Sequence, residues 1–551
     1  MDEHSIADYY QLYEKINRYL KEEYGIEVQP IYEKSDDYVF VIPLHKIKNI
    51  SNEGCDKIKK KLEDSIGMSF SLDNCFLRVS YKNLFLNTIS IPRFGNKERV
   101  IVEFSSPNIG KPFNVGHLRS TILGDSLSKL LSISGYNVLR MTYFGDWGLQ
   151  FGKLIYAYKK YGDEKELEKR GIRYLFELYV RIHKDEEKDE SIKEKGEEEF
   201  IKLENGDREN FELWKRFCEV SMREFKRIYD KLNISFDVYD SESNQVEHAN
   251  SLIENLIKRK IAFIDEKDGS VLIPTPYGNL VIYKKGERTL YSTRDLIAIR
   301  FRCNKYNPLA ILYVVGNEQQ QYFEKIFYAA KKAGLCDSDL VHVDFGLLYL
   351  PEGKFSTRKG NVVFVDEFID FLKEKIKEDF EKREKEILHD NLERLAINTI
   401  KFALLSQSRR KNFMFDVKKF TTFNNENAIY LVYTYARIQS LINKYKDKKQ
   451  ENELNQEKIL KMLKENNASE KLLNFIYKFP FYIKKSIDNY DPHYLVIYSI
   501  ELCKRYNTLY QNIRFIDNPK FEHAGMYLSF LVRDVLSIVF DIIGIKPLSK
   551  I

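Results

Sequence analysis

Hydrophobic and polar positions follow three different patterns along the 551-residue chain, and each pattern predicts a separate region. Near the N-terminus, a helical spacing of apolar residues over Asp8–Tyr24 is followed by a short apolar run at Tyr38–Pro43. This mixture predicts a small α+β domain over residues 1–95. After Phe364 nearly all apolar positions keep the helical period, which predicts an all-α bundle over residues 365–551.

The middle region, residues 96–364, predicts an α/β domain of Rossmann type with a parallel sheet. A buried strand is predicted at Val100–Phe104, followed by a loop rich in proline and glycine and by a helix at His117–Ile133. Further strands are predicted at residues 138–143, 310–315 and 341–345, and a further helix at 319–333. From about residue 156 to residue 283, charged helix formers and then a β-rich stretch predict an insertion into this domain.

Composition narrows the function only slightly. Lysine and arginine exceed aspartate and glutamate by 88 to 82, so the overall charge does not by itself indicate a nucleic-acid partner. The sequence has no apolar run of membrane-spanning length and no apolar signal segment, so we expect a cytoplasmic protein without a membrane partner. The six cysteines have no zinc-like spacing, and we expect them to be reduced structural thiols. We also expect a monomer.

A first candidate phosphate-binding loop spans Ser105–His117 and joins the predicted strand to the predicted helix. Glycines allow the backbone to approach a phosphate closely, and the start of a helix supplies free N–H groups and the positive end of its dipole. Lys111, Asn114 and His117 add side-chain donors beside Gly116. This combination suits ATP, although an ordinary connecting loop would show the same glycines.

A second candidate loop, Gly353–Asn361, places three cations and two hydroxyls between glycines. Lys354, Arg358 and Lys359 could neutralise charge that develops on a triphosphate, with Ser356 as a further contact. A solvent-exposed turn is the alternative, because isolated clusters of charge often have no other role.

The two loops together resemble the paired signatures of class I aminoacyl-tRNA synthetases. Asn114–His117 is similar to the HIGH signature, and Lys354–Arg358 stands in the place of the KMSKS loop. The resemblance is closest to the arginyl-tRNA synthetase family, in segments that lie in the same order along the chain: Ser105–Thr121, Gly145–Gly152, Tyr291–Asp295, Tyr313–Gln319 and Ser356–Val363. It extends from about residue 95 to the C-terminus and more faintly through the N-terminal domain.

The resemblance implies an enzyme that activates L-arginine with ATP and transfers it from arginyl-adenylate to the 3′ end of tRNA(Arg). AMP and pyrophosphate are the other products. Mg²⁺ would accompany ATP, held mainly by the phosphates, so no protein ligand for a metal is expected. The residues implied to act in catalysis are His117, Lys111, Asn114, Lys354, Arg358 and Lys359.

Residues that match the arginine-binding positions of the family carry carboxylates and neutral hydrogen-bonding groups. A guanidinium is planar and permanently charged, so such groups suit it. The implied arginine contacts are Glu103, Asn108, Tyr291, Asp295 and Gln319. For Glu103 and Asp295 a structural ion pair is the alternative, and for Tyr291 and Gln319 the alternative is packing.

The helical C-terminal region resembles the anticodon-binding domain of the family. Tyr430, Tyr433 and Arg437 share one helix face, where they could stack on bases and hold a phosphate of tRNA. The segment Ser408–Phe413 is basic with an aromatic residue and is a second candidate for RNA contact. A bundle core with inward tyrosines would show the same periodicity. The N-terminal domain resembles the module that contacts the outer corner of tRNA in relatives.

Three positions depart from the family pattern. Asn114 replaces the first histidine of the signature, Thr357 replaces the second lysine of the KMSKS loop, and Tyr322 stands where relatives often have histidine. Asn114 can donate a hydrogen bond but carries no charge, and Lys111 is the residue expected to compensate for both lost cations.

Three alternative functions remain open from the sequence. A cysteinyl or glutamyl synthetase shares both loops, but the first would need zinc-ligating thiols and the second a basic substrate pocket. A small-molecule nucleotidyltransferase would not need the long helical region. A related RNA-binding protein without catalysis stays possible because of Asn114.

Overall fold

The structure, a computed structural model, describes residues 8–48, 50–284, 289–350, 363–384, 387, 389–423, 426–448 and 455–548. The N-terminal region contains α1 (Tyr9–Tyr24), β1 (Phe40–Pro43), α2 (Asn52–Ile66), β2 (Ser71–Asp73) and β3 (Phe76–Val79). Its three strands form an antiparallel sheet in the order β1-β3-β2. Helix α1 begins after Asp8, whose side chain accepts a hydrogen bond from the Gln11 N–H, and it buries Leu12, Ile16 and Leu20.

The middle region contains a long series of alternating elements. In chain order they are β4 (Arg99–Glu103), α3 (Val115–Ile133), β5 (Asn137–Phe144), α4 (Leu149–Tyr161), α5 (Glu164–Arg170), α6 (Ile172–Glu186), α7 (Ser191–Glu204), α8 (Arg208–Leu232), β6 (Val238–Ser241), α9 (Ala249–Lys258), β7 (Phe263–Ile264), β8 (Val271–Ile273), β9 (Leu280–Tyr283), α10 (Tyr291–Tyr306), β10 (Ala310–Tyr313), α11 (Gln320–Lys332), β11 (Asp339–His342) and β12 (Leu348–Tyr349).

Five of these strands form the central sheet, in the order β11-β10-β4-β5-β6. All four pairings are parallel, which confirms the predicted parallel α/β sheet. Strand β4 lies in the middle and is buried along Val100, Ile101 and Val102, as a strand covered on both faces requires.

The predicted insertion is not continuous. Helices α5 to α8 and the antiparallel sheet β7-β8-β9 fall within residues 156–283, but β6 between them belongs to the central sheet. Strand β6 lies at the sheet edge, and its sequence of Val238, Tyr239, Asp240 and Ser241 has no apolar run that could mark it. Polar residues are tolerated there because an edge strand is less buried than a central one.

Among the described residues after Phe364, all the elements are helices except one short strand. These elements are α12 (Val365–Glu381), α13 (His389–Leu405), β13 (Phe413–Met414), α14 (Val417–Thr421), α15 (Ala428–Lys448), α16 (Gln456–Lys464), α17 (Asn467–Tyr477), α18 (Phe479–Asp488), α19 (His493–Asn512) and α20 (Glu522–Ile543). Strand β13 pairs in parallel with β12, which joins the helical region to the α/β region. Helices α13 and α20 also pack against α3.

The expectation that all six cysteines are reduced is wrong. Cys55 and Cys75 form one disulfide, and Cys303 and Cys336 form another. The second bond joins α10 to the turn after α11, because folding brings these segments together although they are far apart in the sequence. Cys218 and Cys503 are free thiols. In the part of the chain that the structure describes, no helix is long and apolar enough to cross a bilayer.

Candidate active site

A cavity of about 360 Å³ opens at the carboxyl ends of β4, β5 and β10. Open parallel sheets bind ligands at this edge, because loops leave the strands there in opposite directions. All five residues implied to contact arginine line the cavity: Glu103, Asn108, Tyr291, Asp295 and Gln319. Gly116 and His117 of the first signature line the same cavity.

The loop after β4 is held against the loop after β5. The N–H of Ile109 donates to the carbonyl of Gly145 at 3.0 Å, and Asn108 forms a bridge with Gly145. A Cβ atom at position 145 would lie 2.1 Å from Oδ1 of Asn108. Position 145 therefore requires glycine so that Asn108 can line the cavity.

Asn114 and His117 form a reciprocal cap at the start of α3. The Asn114 side chain accepts from the N–H of Gly116 at 2.9 Å, and Nδ1 of His117 accepts from the N–H of Asn114 at 3.1 Å. Asparagine is a favoured capping residue, so the replacement of the first signature histidine preserves the start of the helix. Burial lowers the pKa of His117 to about 4, which makes its ring neutral at pH 7 and leaves the proton on Nε2.

Asp295 lies on the second turn of α10 and faces α11. Its Oδ2 accepts a hydrogen bond from the Tyr322 hydroxyl, which belongs to α11. Burial raises the pKa of Asp295 to about 6. Tyr291 is 57% exposed at the start of the same helix, and Gln319 is exposed just before α11, so these two residues form the rim of the cavity.

Glu103 is engaged in a buried ion pair. Its Oε2 accepts from Nη1 of Arg302, whose side chain is 1% exposed, and Nη2 of Arg302 is 3.5 Å from Oδ2 of Asp240. Burial raises the pKa of Glu103 to about 7, although Arg302 acts in the opposite direction. The structural ion pair considered above for Glu103 is therefore present, on a residue that also lines the cavity.

Sequence reasoning missed two charged residues of the cavity wall, Arg302 and Glu242. Arg302 is seven residues after Asp295 and so lies on the same face of α10, a spacing that could have revealed it. Glu242 follows β6, the strand that was not predicted, and it pairs with Arg294 at 2.9 Å.

Lys111, which we predicted to bind the phosphates of ATP, does not line the cavity. Its Nζ lies 4.7 Å from the centre of the Tyr179 ring, which belongs to α6 of the inserted helices. The predicted second loop lies outside the described residues, and with it Lys354, Ser356, Thr357, Arg358 and Lys359. The chain after that loop is described again at Val363, whose carbonyl accepts from the N–H of Val115 at 3.1 Å.

Comparison with known proteins agrees with this arrangement. A family model described as tRNA synthetases class I (R), catalytic domain, matches residues 80–417, and one described as DALR anticodon binding domain matches residues 431–551. An arginine–tRNA ligase of Clostridium perfringens is 32% identical over 553 residues, covering 95% of each chain. Another, from Streptococcus pneumoniae, is 34% identical over 464 residues, covering 83% of this chain and 81% of that one.

The chain belongs to the arginyl-tRNA synthetase family. As an arginyl-tRNA synthetase it is a ligase that joins an amino acid to tRNA by the two-step, ATP-dependent reaction of its class. Solved arginyl-tRNA synthetases share its fold. The Plasmodium falciparum structure has a TM-score of 0.77 at 24% identity and covers 98% of each chain. The Thermus thermophilus structure has a TM-score of 0.79 at 18% identity and covers 98% of this chain and all of that one.

The synthetase has a second cavity, of about 300 Å³, at the candidate tRNA-binding face of α15. Tyr430, Tyr433 and Arg437 all line it, and all three are partly exposed. Asn507 of α19 holds two of them, because its amide donates to the Tyr430 hydroxyl at 3.0 Å and accepts from Arg437 at 3.2 Å. Tyr435 instead packs on Phe540, so one helix carries both outward and inward tyrosines.

The basic segment Ser408–Phe413 is mainly structural. Arg409 is 6% exposed and donates from Nη1 to Oδ1 of Asp344 at 2.6 Å, and Phe413 is buried. The side chains of these two residues are therefore occupied within the protein. Arg410 and Lys411 are exposed.

Proposed function

We propose that the 360 Å³ cavity is the arginine site of a ligase that forms arginyl-adenylate and then arginylates the 3′ end of tRNA(Arg). One observation carries the assignment. Glu103 and Glu242 each pair with an arginine of the chain, whereas the partner of Asp295 among the described residues is the neutral hydroxyl of Tyr322. A buried carboxylate whose hydrogen-bond partner is neutral is poised to bind a cation from a ligand.

In this proposal the guanidinium of the substrate binds Asp295, and the rest of the wall completes its contacts. Glu103, Asn108, Tyr291 and Gln319 lie around Asp295 with acceptors and donors that suit the remaining polar groups of arginine. A glutamyl enzyme would need cations that face its substrate. The two arginines here are instead paired with Glu103 and Glu242, so the wall does not favour an acidic side chain.

ATP lies beside the start of α3 in this proposal. The Nε2 proton of neutral His117 and the Asn114 amide are donors for phosphate oxygens, at the positive end of the α3 dipole. Lys354, Ser356, Arg358 and Lys359 would act on the phosphates as well. They precede Phe364 in the chain, and Phe364 forms a bridge with Asn114. Mg²⁺ enters as part of the ATP substrate.

The chemistry follows from positioning and charge stabilisation. The carboxylate of arginine attacks the α-phosphorus of ATP in line, and pyrophosphate leaves. A hydroxyl of the terminal adenosine of tRNA then attacks the carbonyl carbon of arginyl-adenylate, and AMP leaves. Tyr430, Tyr433 and Arg437 hold the anticodon end of the tRNA.

ATP–pyrophosphate exchange with each standard amino acid, with and without tRNA, tests the function. Exchange is expected with arginine only. Exchange with cysteine or glutamate would favour the other synthetases, and tRNA binding without any exchange would favour a non-catalytic RNA-binding protein. The proposal includes a monomer in the cytoplasm, which sedimentation of the purified protein and cell fractionation would test.

Lys111 has a separate test. In this proposal its ammonium moves from the Tyr179 ring to the polyphosphate, since a cation–π contact at a partly exposed site is worth only about 1 kcal/mol. Lys111→Ala should slow single-turnover adenylate formation at least about tenfold, whereas Lys160→Ala, which removes another cation stacked on a tyrosine, should not. Normal rates in Lys111→Ala would leave the residue a structural contact of α6.

A further inference from the structure

Tyr322 connects two of the residues assigned to arginine recognition, although no role for it could be predicted from the sequence. It lies on the first turn of α11, and its hydroxyl donates a hydrogen bond across to Oδ2 of Asp295 on α10. The centre of its ring lies 5.1 Å from the centre of the Tyr291 ring. Tyr291 is four residues before Asp295 on α10. The two helices are also joined beyond the cavity by the Cys303–Cys336 disulfide.

We propose that Tyr322 is a positioning residue for substrate arginine, which holds the Asp295 carboxylate with its hydroxyl and supports the Tyr291 ring with its own. The proposal rests on the proposed function, in which Asp295 receives the guanidinium.

The geometry explains why such a residue is needed. The terminal torsion of an aspartate is broad, so an isolated carboxylate turns over a wide range. A hydrogen bond on Oδ2 limits that turn and leaves the second oxygen for a donor of the substrate. A planar guanidinium is recognised through fixed directions, so loss of the constraint should weaken binding even when Asp295 remains.

The Tyr322 hydroxyl is uncharged, and for arginine binding this matters as much as its position. The charged groups that face Asp295 are Glu103 from β4, Glu242 after β6, and Arg294 and Arg302 from α10. The neutral phenols of Tyr143 on β5, Tyr313 on β10 and Tyr322 on α11 complete the surroundings. A cationic partner in place of Tyr322 would satisfy Asp295 but would repel the guanidinium, whereas a phenol stabilises the carboxylate without that competition.

Burial raises the pKa of Asp295 to about 6, and the Tyr322 hydrogen bond opposes this rise. Loss of the hydroxyl should therefore raise the pKa of Asp295 further. Because arginine requires the ionised carboxylate, the pH below which arginine binding weakens should move upward.

The experiment compares Tyr322→Phe with Tyr328→Phe, which removes a hydroxyl from an exposed tyrosine of the same helix. In pyrophosphate exchange with tRNA present, Tyr322→Phe should raise the KM for arginine about tenfold, with little change in kcat or in the KM for ATP. The acid limb of kcat/KM for arginine should shift to higher pH. Tyr322→His, which keeps a hydrogen-bond donor, should recover part of the loss.

Four outcomes would decide the proposal. An unchanged KM and pH profile in Tyr322→Phe would overturn it, as would an equal fall of activity toward all substrates with a lowered Tm, which indicates a structural role only. In an Asp295→Ala background the Tyr322→Phe change should have no further effect on arginine binding, and an additive loss would overturn it. Normal arginine binding by Asp295→Ala alone would instead contradict the proposed function.

Discussion

Arg302 donates a hydrogen bond from Nη1 to Oε2 of Glu103 at the end of β4. This internal guanidinium partly satisfies one of the two carboxylates that sequence reasoning assigned to substrate arginine. The other carboxylate, Asp295, is held by a hydroxyl, and so the greater part of the selection for a guanidinium is expected to depend on it.

Replacement of Asp295 is therefore predicted to remove arginine recognition. Asp295→Ala should lower arginine-dependent pyrophosphate exchange by at least about a hundredfold, which corresponds to loss of a charge-assisted pair of about 3 kcal/mol. The fold should persist, because a carboxylate whose pKa is raised by burial contributes no folding stability at neutral pH. Kinetics of exchange and a thermal melt measure both effects. Asp339→Ala, at an exposed position of β11, is the control, and normal arginine affinity in Asp295→Ala would refute the pocket.

The stability and the arginine affinity should change with pH in opposite directions. The folded-state pKa of Asp295, about 6, is above the unfolded value, so its contribution to stability is present below pH 4 and is lost as the pH rises through about 6. Arginine binds the ionised form, so its affinity should fall about tenfold per pH unit below that value. The shift in Tm caused by arginine, measured from pH 5 to pH 8, should grow with pH. Asp295→Asn should flatten this dependence, and a flat profile in the unaltered protein would contradict the assignment.

The face of α15 is predicted to bind tRNA. Tyr433→Ala should raise the KM for tRNA about tenfold, because one stacked base contributes about 1–3 kcal/mol. Arg437→Gln should weaken binding less and should reduce its dependence on salt. Aminoacylation at several salt concentrations measures both changes. Tyr435→Phe is the control, since that ring packs on Phe540 within the bundle. An unchanged KM in both variants would show that this cavity does not face the tRNA.

Arg119 is predicted to be essential for stability. It is 2% exposed and donates to four backbone carbonyls, at 2.6 Å to Gly346, 3.1 Å to Leu347, 3.0 Å to Arg409 and 2.6 Å to Lys411. Arg119→Leu removes these four hydrogen bonds, although the carbonyls of Leu347 and Arg409 also accept from backbone N–H groups. The change should lower the free energy of unfolding by at least about 3 kcal/mol. Urea unfolding measures the loss. Arg410→Leu, at a side chain that is 72% exposed, should cost almost nothing.

Elements with a strong local signal were predicted within a few residues. The run Val100–Phe104 is β4, and the helix expected at His117–Ile133 begins two residues earlier, at the cap formed by Asn114. The edge strand β6 was missed because Val238 is its one aliphatic residue, and its place in the sheet depends on pairing with Met141–Phe144. Glu242 directly follows β6 and lies at the cavity because of the same pairing. Because the strand was not predicted, Glu242 was not predicted either.

Sequence alone determined the kinds of element, their order and the family, because periodicity, glycine loops and signature segments are properties of neighbouring residues. Only the tertiary structure decided which charges are already paired. Arg302 and Glu103 are 199 residues apart in the chain, and Arg119 is 290 residues from its acceptor Arg409 in the helical region. Burial and ion pairing depend on which residues folding brings within a few ångströms of one another. A local sequence pattern contains no information about such distant contacts. The distinction between Glu103, paired within the chain, and Asp295, held by Tyr322, therefore comes from the fold.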